Sequence, residues 1–175
     1  MCVELTKLYK KNLSSADYKQ ASSMAKDLLD FLNTAEVLKE IAAKHKLNAR
    51  SQEIQDIFLL KAKEIGFKSE RNGLFQNYEG LRGLRPDYYA PLNNGRGIIM
   101  EVERGKTLDN NMDILDLWKC HICDEASFLF LIVPKIRQTG SGGYNIIYER
   151  VVTRMKSFFI EENYTNVDAV FIFGY

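Results

Sequence analysis

The chain has 175 residues, of which 46% are hydrophobic and 27% charged, and its 24 Lys and Arg against 23 Asp and Glu give a formal net charge of +1. These values are typical of globular proteins and exclude a wholly disordered or fibrous chain. No apolar run reaches the roughly 20 residues of a membrane span, and the first residues lack the apolar core of a signal peptide. We therefore expect a soluble cytoplasmic protein with no membrane contact.

The first half of the chain is predicted to begin with helices. Residues 1–50 contain neither proline nor glycine and are rich in Ala, Leu and Lys, which predicts an N-terminal helical extension. A further helix is predicted to begin near Ser51, because Ile54, Ile57 and Phe58 recur at helical spacing, and to end at Gly66.

From Gly73 onward, short apolar runs between Gly, Asn and Pro predict strands. We place these strands at Leu74–Tyr78, Leu84–Tyr89 and Gly97–Glu103, and Asn94-Gly95 predicts a hairpin between the last two. The elements predicted to follow are a helix over Leu108–Asp124, a buried strand at Phe128–Val133, a helix over Asn145–Ile160 and a last strand at Val167–Phe173. This order predicts an α/β core over residues 51–175, with a mixed β-sheet flanked by helices.

Three carboxylates bracket the predicted hairpin. Asp87 follows Pro86 before the turn, and Glu101 and Glu103 flank Val102 after it. In a hairpin, the strand ends farthest from the turn lie side by side, so Asp87 and Glu101 are expected at one edge of the sheet. Side chains alternate along a strand, so Glu101 and Glu103 are expected on one face. Converging carboxylates resist ionisation unless a cation neutralises them, and oxygen ligands select Mg²⁺ or Mn²⁺. The alternative is that these acids are ordinary charges of a turn and an edge strand.

The pair Pro86-Asp87 and the triplet Glu101-x-Glu103, with the element order helix, hairpin, helix and strand, resemble the PD-(D/E)xK nuclease superfamily. The resemblance covers roughly residues 51–133, and many type II restriction endonucleases share this fold. It implies a restriction endonuclease-like core and a Mg²⁺-dependent endonuclease acting on DNA, with Asp87 and Glu101 as metal ligands and Mn²⁺ as a substitute metal. Glu103 stands at the usual lysine position, where some restriction enzymes carry Glu-x-Glu, and it would orient or deprotonate the attacking water.

The resemblance also implies supporting residues. An acid on the helix before the hairpin often contacts the outer shell of the metal, and Glu53 matches that placement; the alternative is a solvated acid at a helix start. Lys119 or Lys106 is a candidate to replace the missing lysine, and an ordinary surface lysine is the alternative. Cleavage of both strands of a duplex needs two sites, which implies a homodimer.

Binding of the DNA phosphates needs cations near the acids, and Arg85, Arg104 and Lys106 are the candidates, with a solvated surface as the alternative. Cys120 and Cys123 lack a second ligand pair, so we expect them to pack in the core rather than to bind zinc. Two other functions stay open. One is a catalytically silent module of the same fold that binds DNA or a protein. The other is a helix-turn-helix regulator whose basic residues at the turn contact DNA: Lys44, Lys46 and Arg50.

Overall fold

A mixed six-stranded sheet forms the centre of the computed structural model, which describes residues 2–46, 50–69 and 73–175. The strands are β1 (Glu4–Tyr9), β2 (Lys68–Ser69), β3 (Tyr88–Ala90), β4 (Gly97–Val102), β5 (Ala126–Val133), β6 (Ile136–Gln138), β7 (Tyr144–Ile146) and β8 (Ala169–Gly174). The helices are α1 (Ala16–Leu32), α2 (Ala35–Lys44), α3 (Ser51–Glu64), α4 (Met112–Ile122) and α5 (Tyr148–Lys156).

The strand order in the central sheet is β1-β8-β5-β4-β3-β2, and β6 pairs with β7 in a separate hairpin. The pairs β4–β5 and β5–β8 are parallel, whereas β1, β2 and β3 run antiparallel to their neighbours. Strands β4, β5 and β8 are buried along their whole length because helices cover both faces. This arrangement confirms the predicted class of a mixed α/β sheet flanked by helices.

Each face of the sheet carries its own hydrophobic core. Side chains alternate along β5, so Phe128 and Phe130 pack with α1, α2 and α3, whereas Leu129 and Leu131 pack with α4 and α5. Helix α3 ends where the sequence predicted, because Gly66 adopts a φ of +102°, a left-handed conformation that glycine tolerates best. None of the described helices is both long and apolar enough to cross a membrane.

The prediction of an entirely helical N-terminal extension is wrong for β1. Glu4–Tyr9 pairs along its length with β8, from Glu4 opposite Gly174 to Tyr9 opposite Ala169. Hydrogen bonding to a strand at the far end of the chain therefore decides the conformation of a segment that local composition assigns to helix. Helix α1 also packs on the sheet, with Leu28 in the same core as Phe171. The division into residues 1–50 and 51–175 stays a prediction.

Three other predicted elements differ from the structure. The segment Leu74–Tyr78 forms consecutive turns rather than a strand, because the buried residues Leu74 and Phe75 anchor a loop to the second core. The predicted strand Leu84–Tyr89 begins only with β3 at Tyr88. The predicted helix Asn145–Ile160 begins only with α5, because the residues before it form β7 and pair with β6.

Candidate active site

The structure brings Asp87 and Glu101 together where β3 and β4 pair. Tyr88 lies opposite Met100, so Asp87 and Glu101 are the next residues along the two strands. The backbone N–H of Asp87 donates to Glu101 Oε2 at 3.1 Å. In turn, Asp87 Oδ2 accepts hydrogen bonds from the backbone N–H of Val102 at 2.9 Å and from Gln55 Nε2 at 3.1 Å. The antiparallel pairing thus fixes two carboxylates from segments that the hairpin turn separates.

A buried ammonium group lies beside these carboxylates. Lys119 on α4 is only 6% exposed, and its Nζ lies 2.8 Å from Glu101 Oε1 and 2.9 Å from Asp116 Oδ1. Burial alone would lower the pKa of Lys119, but the charges of Glu101 and Asp116 outweigh that effect and raise the pKa. The amine is therefore a permanent cation at neutral pH and cannot act as a general base.

Asp116 is a site residue that no sequence motif indicated. Its side chain is fully buried, and one carboxylate oxygen, Oδ2, has no hydrogen-bond partner in the described part of the chain. The spacing of three residues between Asp116 and Lys119 on a predicted helix is the signal that would have indicated their contact. Asp116 thus adds a fourth carboxylate to the region of Asp87, Glu101 and Glu103.

Glu103 lies directly after β4 and is half-buried. Its backbone N–H donates to the carbonyl of Ile132 at 2.8 Å, and its own carbonyl accepts a hydrogen bond from the Tyr175 hydroxyl at 3.1 Å. Val102, which precedes it, packs in the core on the opposite face of the sheet. Burial, and next the charges of Asp116 and Asp87, raise the pKa of Glu103 to about 7.

The other carboxylates of this cluster are perturbed in the same direction. Burial and the charge of Asp116 raise the pKa of Glu101 well above its usual value. Burial also raises the pKa of Asp116 to about 6 and that of Asp87 above its ordinary range. Four carboxylates therefore share one ammonium group, and the region would gain electrostatic stabilisation from a further cation.

The donor chemistry of this cluster fits a hard divalent cation. No group of three or more His, Cys, Asp or Glu side chains within residues 2–46, 50–69 and 73–175 is arranged to hold a metal ion. Mg²⁺, however, often uses one or two carboxylates and completes its coordination with water and substrate phosphates. Asp87 and Glu101 supply such a pair, and the buried Asp116 Oδ2 offers an unsatisfied acceptor in the same cluster.

Helix α3 contributes Gln55 rather than Glu53 to the contacts of Asp87. Glu53 is exposed, and its Oε2 accepts a hydrogen bond from the backbone N–H of Arg50 at 2.9 Å. This local contact stabilises the start of the helix. Gln55 reaches Asp87 from a half-buried position on the same helix, and no sequence motif distinguishes it from the other polar residues there.

The predicted basic residues separate into two places. Arg104 and Lys106 line a cavity of about 540 Å³. They belong to the segment that directly follows Glu103 in the chain. Arg85 is exposed and does not line that cavity. Lys46 also lines it, whereas Lys44 forms an ion pair with Glu40. The turn on which the helix-turn-helix alternative depends includes residues 47–49, which lie outside the described residues.

Cys120 on α4 and Cys123 directly after this helix pack as predicted. Cys120 and Cys123 are buried free thiols in the core between the sheet and α4. Burial raises the pKa of both thiols, so neither is an activated nucleophile.

No protein-family model matches the chain, and none of the curated proteins matches it.

Proposed function

We propose that this protein is a metal-dependent endonuclease that hydrolyses DNA phosphodiester bonds. The observation that carries the proposal is the meeting of Asp87, Glu101 and Lys119 at the end of β4, because these residues come from three separate segments. A buried cluster of acids with one permanent cation suits the binding of a divalent ion and a phosphate group.

The order of elements supports a restriction endonuclease-like core of the PD-(D/E)xK type. Helix α3 precedes the antiparallel pair β3–β4, and α4 then leads into β5, which runs parallel to β4. The resemblance drawn from Pro86-Asp87 and Glu101-x-Glu103 implies this same succession. Lys119, which α4 supplies, lies next to the glutamate of the motif and is our candidate for the lysine that the motif lacks.

In this proposal, Asp87 and Glu101 would hold Mg²⁺ or Mn²⁺. When bound, such an ion stabilises the charge that develops on the phosphate and lowers the pKa of water. The chain itself orients the two carboxylates: the backbone N–H of Val102 and the side chain of Gln55 fix Asp87, and Lys119 fixes Glu101. This orientation exists before substrate binds, so it requires little reorganisation during the reaction.

Glu103 is the proposed general base. Its half-buried carboxylate lies two residues after Glu101, on the same side of the strand, where it can accept a proton from the attacking water. Lys119 cannot perform this step, because its amine stays protonated. We assign Lys119 instead to electrostatic stabilisation of the carboxylate cluster and of the phosphate charge.

The test is cleavage of supercoiled plasmid in the presence of Mg²⁺ or Mn²⁺. Asp87→Asn and Glu101→Gln keep the side-chain volumes and should lower the cleavage rate by at least about 100-fold, because each removes a ligand charge. Glu79→Gln, which changes an exposed glutamate outside the cluster, is the matched control and should cleave at the wild-type rate. Unchanged cleavage by both Asp87→Asn and Glu101→Gln would falsify the site assignment.

A catalytically silent module is the second candidate, because the ammonium of Lys119 already neutralises Glu101 without a metal ion. Thermal unfolding separates the two candidates. An ion that binds only the folded state raises the melting temperature as its concentration increases. We expect Mg²⁺ and Mn²⁺ to raise it for the wild type and much less for Asp87→Asn. No shift together with no cleavage would favour the silent module.

Cleavage of both DNA strands would require two active sites, so we propose that the enzyme acts as a homodimer. Light scattering after size exclusion measures the mass directly. A monomer that nevertheless linearises plasmid in a single binding event would contradict this part of the proposal.

A further inference from the structure

A cavity of about 540 Å³, which we call the hairpin cleft, is lined in part by the residues that directly follow Glu103 in the chain. Its walls are the chain after α2 (His45 and Lys46), the segment after β4 (Arg104 to Lys106) and the β6–β7 hairpin with Ile136 and Tyr144. Cavities of this size hold small molecules or one or two nucleotide units, and are too small for a stretch of paired strands.

The hairpin cleft is positively charged although the whole chain is nearly neutral. Lys46, Arg104, Lys106 and Arg137 line it, and no aspartate or glutamate is among its described lining residues. Lys46 and Lys106 are exposed, and neither forms an ion pair with another residue that the structure describes. Arg137 pairs with Asp109 at 2.7 Å, and Arg104 donates a hydrogen bond to the backbone carbonyl of Lys46. The charge of this surface is complementary to phosphate groups.

The hairpin side of the cleft presents an aromatic and an apolar side chain besides its polar residues. Tyr144 is 66% exposed and Ile136 is 47% exposed, and both lie on the face of the hairpin that also carries Ile146. Three large exposed apolar side chains on a two-stranded hairpin are typical of a binding surface. An exposed ring opposite cationic side chains is the arrangement with which proteins stack unpaired bases while they hold the phosphates.

Direct contacts connect the hairpin cleft to the proposed active site. Arg104 follows Glu103 in the chain, and the Tyr175 hydroxyl donates to the carbonyl of Glu103 at 3.1 Å. The ring of His45 packs edge-on against Tyr175, with 5.3 Å between the ring centroids. His45 Nε2 also lies 2.8 Å from the carbonyl oxygen of Ile136, which attaches the end of α2 to the hairpin. The cleft therefore connects through Tyr175 and the backbone of Glu103 to the segment that carries the proposed general base.

We propose that the hairpin cleft binds an unpaired nucleic-acid strand, with a base stacked on Tyr144 and phosphates held by Lys46, Arg104 and Lys106. This inference rests on the proposed nuclease function and specifies its substrate class: DNA that contains an unpaired strand, such as an overhang, a flap or the unpaired bubble of a supercoiled plasmid.

The experiment measures fluorescence anisotropy of a labelled oligothymidylate, and of a duplex of equal length, in EDTA so that no cleavage occurs. Wild-type protein should bind the single strand more tightly than the duplex. Tyr144→Leu should weaken that binding by about 5- to 150-fold, because it removes the ring, whereas Tyr144→Phe keeps the ring and should bind like the wild type.

The cationic side of the cleft has its own readout. The logarithm of the affinity falls linearly as the logarithm of the salt concentration increases. Each phosphate contact on a single strand makes this slope steeper by about 0.7. Lys46→Ala and Lys106→Ala should each make the slope shallower by about 0.7. Lys63→Ala, which changes an exposed lysine on α3, should leave it unchanged. An oligouridylate measured in parallel distinguishes a DNA strand from an RNA strand.

The outcomes separate this inference from the nuclease function. Equal binding of the oligothymidylate by wild type and Tyr144→Leu, or tighter wild-type binding of the duplex, overturns the cleft proposal even where plasmid cleavage persists. Single-strand binding with the expected variant effects, but without cleavage of either the oligothymidylate or the plasmid when Mg²⁺ is added, supports the cleft and removes the nuclease function.

Discussion

Replacing Lys119 by methionine tests the charge balance on which the candidate site depends. Methionine keeps an unbranched side chain of similar length but removes the ammonium from between Glu101 and Asp116. The wild-type ammonium lies 2.8 Å and 2.9 Å from the two carboxylates, and the side chains of all three residues are at most 8% exposed. The variant therefore leaves two buried carboxylates without their shared cation.

The expected loss of stability follows from these distances. Each attraction is worth about 6 kcal/mol before desolvation at an effective dielectric constant of about 20. Desolvation of the ammonium offsets part of these two attractions. Removal of one partner from a buried ion pair typically lowers the free energy of unfolding by about 3–5 kcal/mol. We expect a loss in that range near pH 8, which is a large fraction of the stability of a domain.

The loss should become smaller in acid. Without Lys119, Glu101 and Asp116 take up protons in the folded state, and protonating a glutamate of ordinary pKa costs about 5 kcal/mol at pH 8 but only about 1–2 kcal/mol at pH 5.5. The folded variant then binds more protons than the unfolded chain, so its free energy of unfolding falls as pH rises.

Urea denaturation in EDTA at both pH values measures these differences. Lys106→Met, at an exposed lysine, serves as the matched control and should change the free energy of unfolding by less than about 0.5 kcal/mol. A Lys119→Met protein as stable as the wild type at pH 8 would show that Lys119 carries no buried ion pair, and the assignment of the cluster would then be wrong.

Two further predictions concern the wild-type cluster and the hairpin. Burial raises the pKa of Asp116 to about 6 and that of Glu103 to about 7, so the folded state takes up protons between about pH 4 and 7. The free energy of unfolding of the metal-free protein should therefore decrease as pH rises through that window, by about 3 kcal/mol for Asp116 alone. Urea denaturation at constant ionic strength measures it, and an increase with pH would contradict the raised pKa values. Gly97→Ala should destabilise the fold by at least about 1–3 kcal/mol, because the added Cβ would overlap the carbonyl oxygen of Ala90. Gly105→Ala meets no atom within 4 Å and is its control in thermal unfolding; equal melting temperatures would refute the clash.

The core elements of the fold were predictable because their patterns are local. The apolar run of β5 and the helical spacing of α3 identify buried segments without reference to the rest of the chain. The hairpin turn at Asn94-Gly95 likewise identifies the pairing of β3 with β4, although β3 is shorter than predicted. These elements place Asp87 next to Glu101, which is the part of the candidate site that the sequence predicted.

The elements that were predicted wrongly depend on pairing and packing partners outside the segment itself. Glu4–Tyr9 is a strand because β8 has an open edge there, and Tyr144–Ile146 is a strand because β6 lies opposite. Neither segment has a composition that distinguishes it from a helix. Leu74–Tyr78 has the apolar residues of a strand, but two of them bury themselves from a loop. Local propensity cannot determine these outcomes, because pairing with another strand and packing in the core outweigh it.

The sequence by itself determined that this is an α/β protein and which acids border the hairpin, because both properties follow from residues close together in the chain. Only the tertiary structure decided that Lys119 is buried between Glu101 and Asp116, and that Gln55 rather than Glu53 contacts Asp87. Those contacts depend on how α3 and α4 are rotated against the sheet, and packing of the whole core sets that rotation.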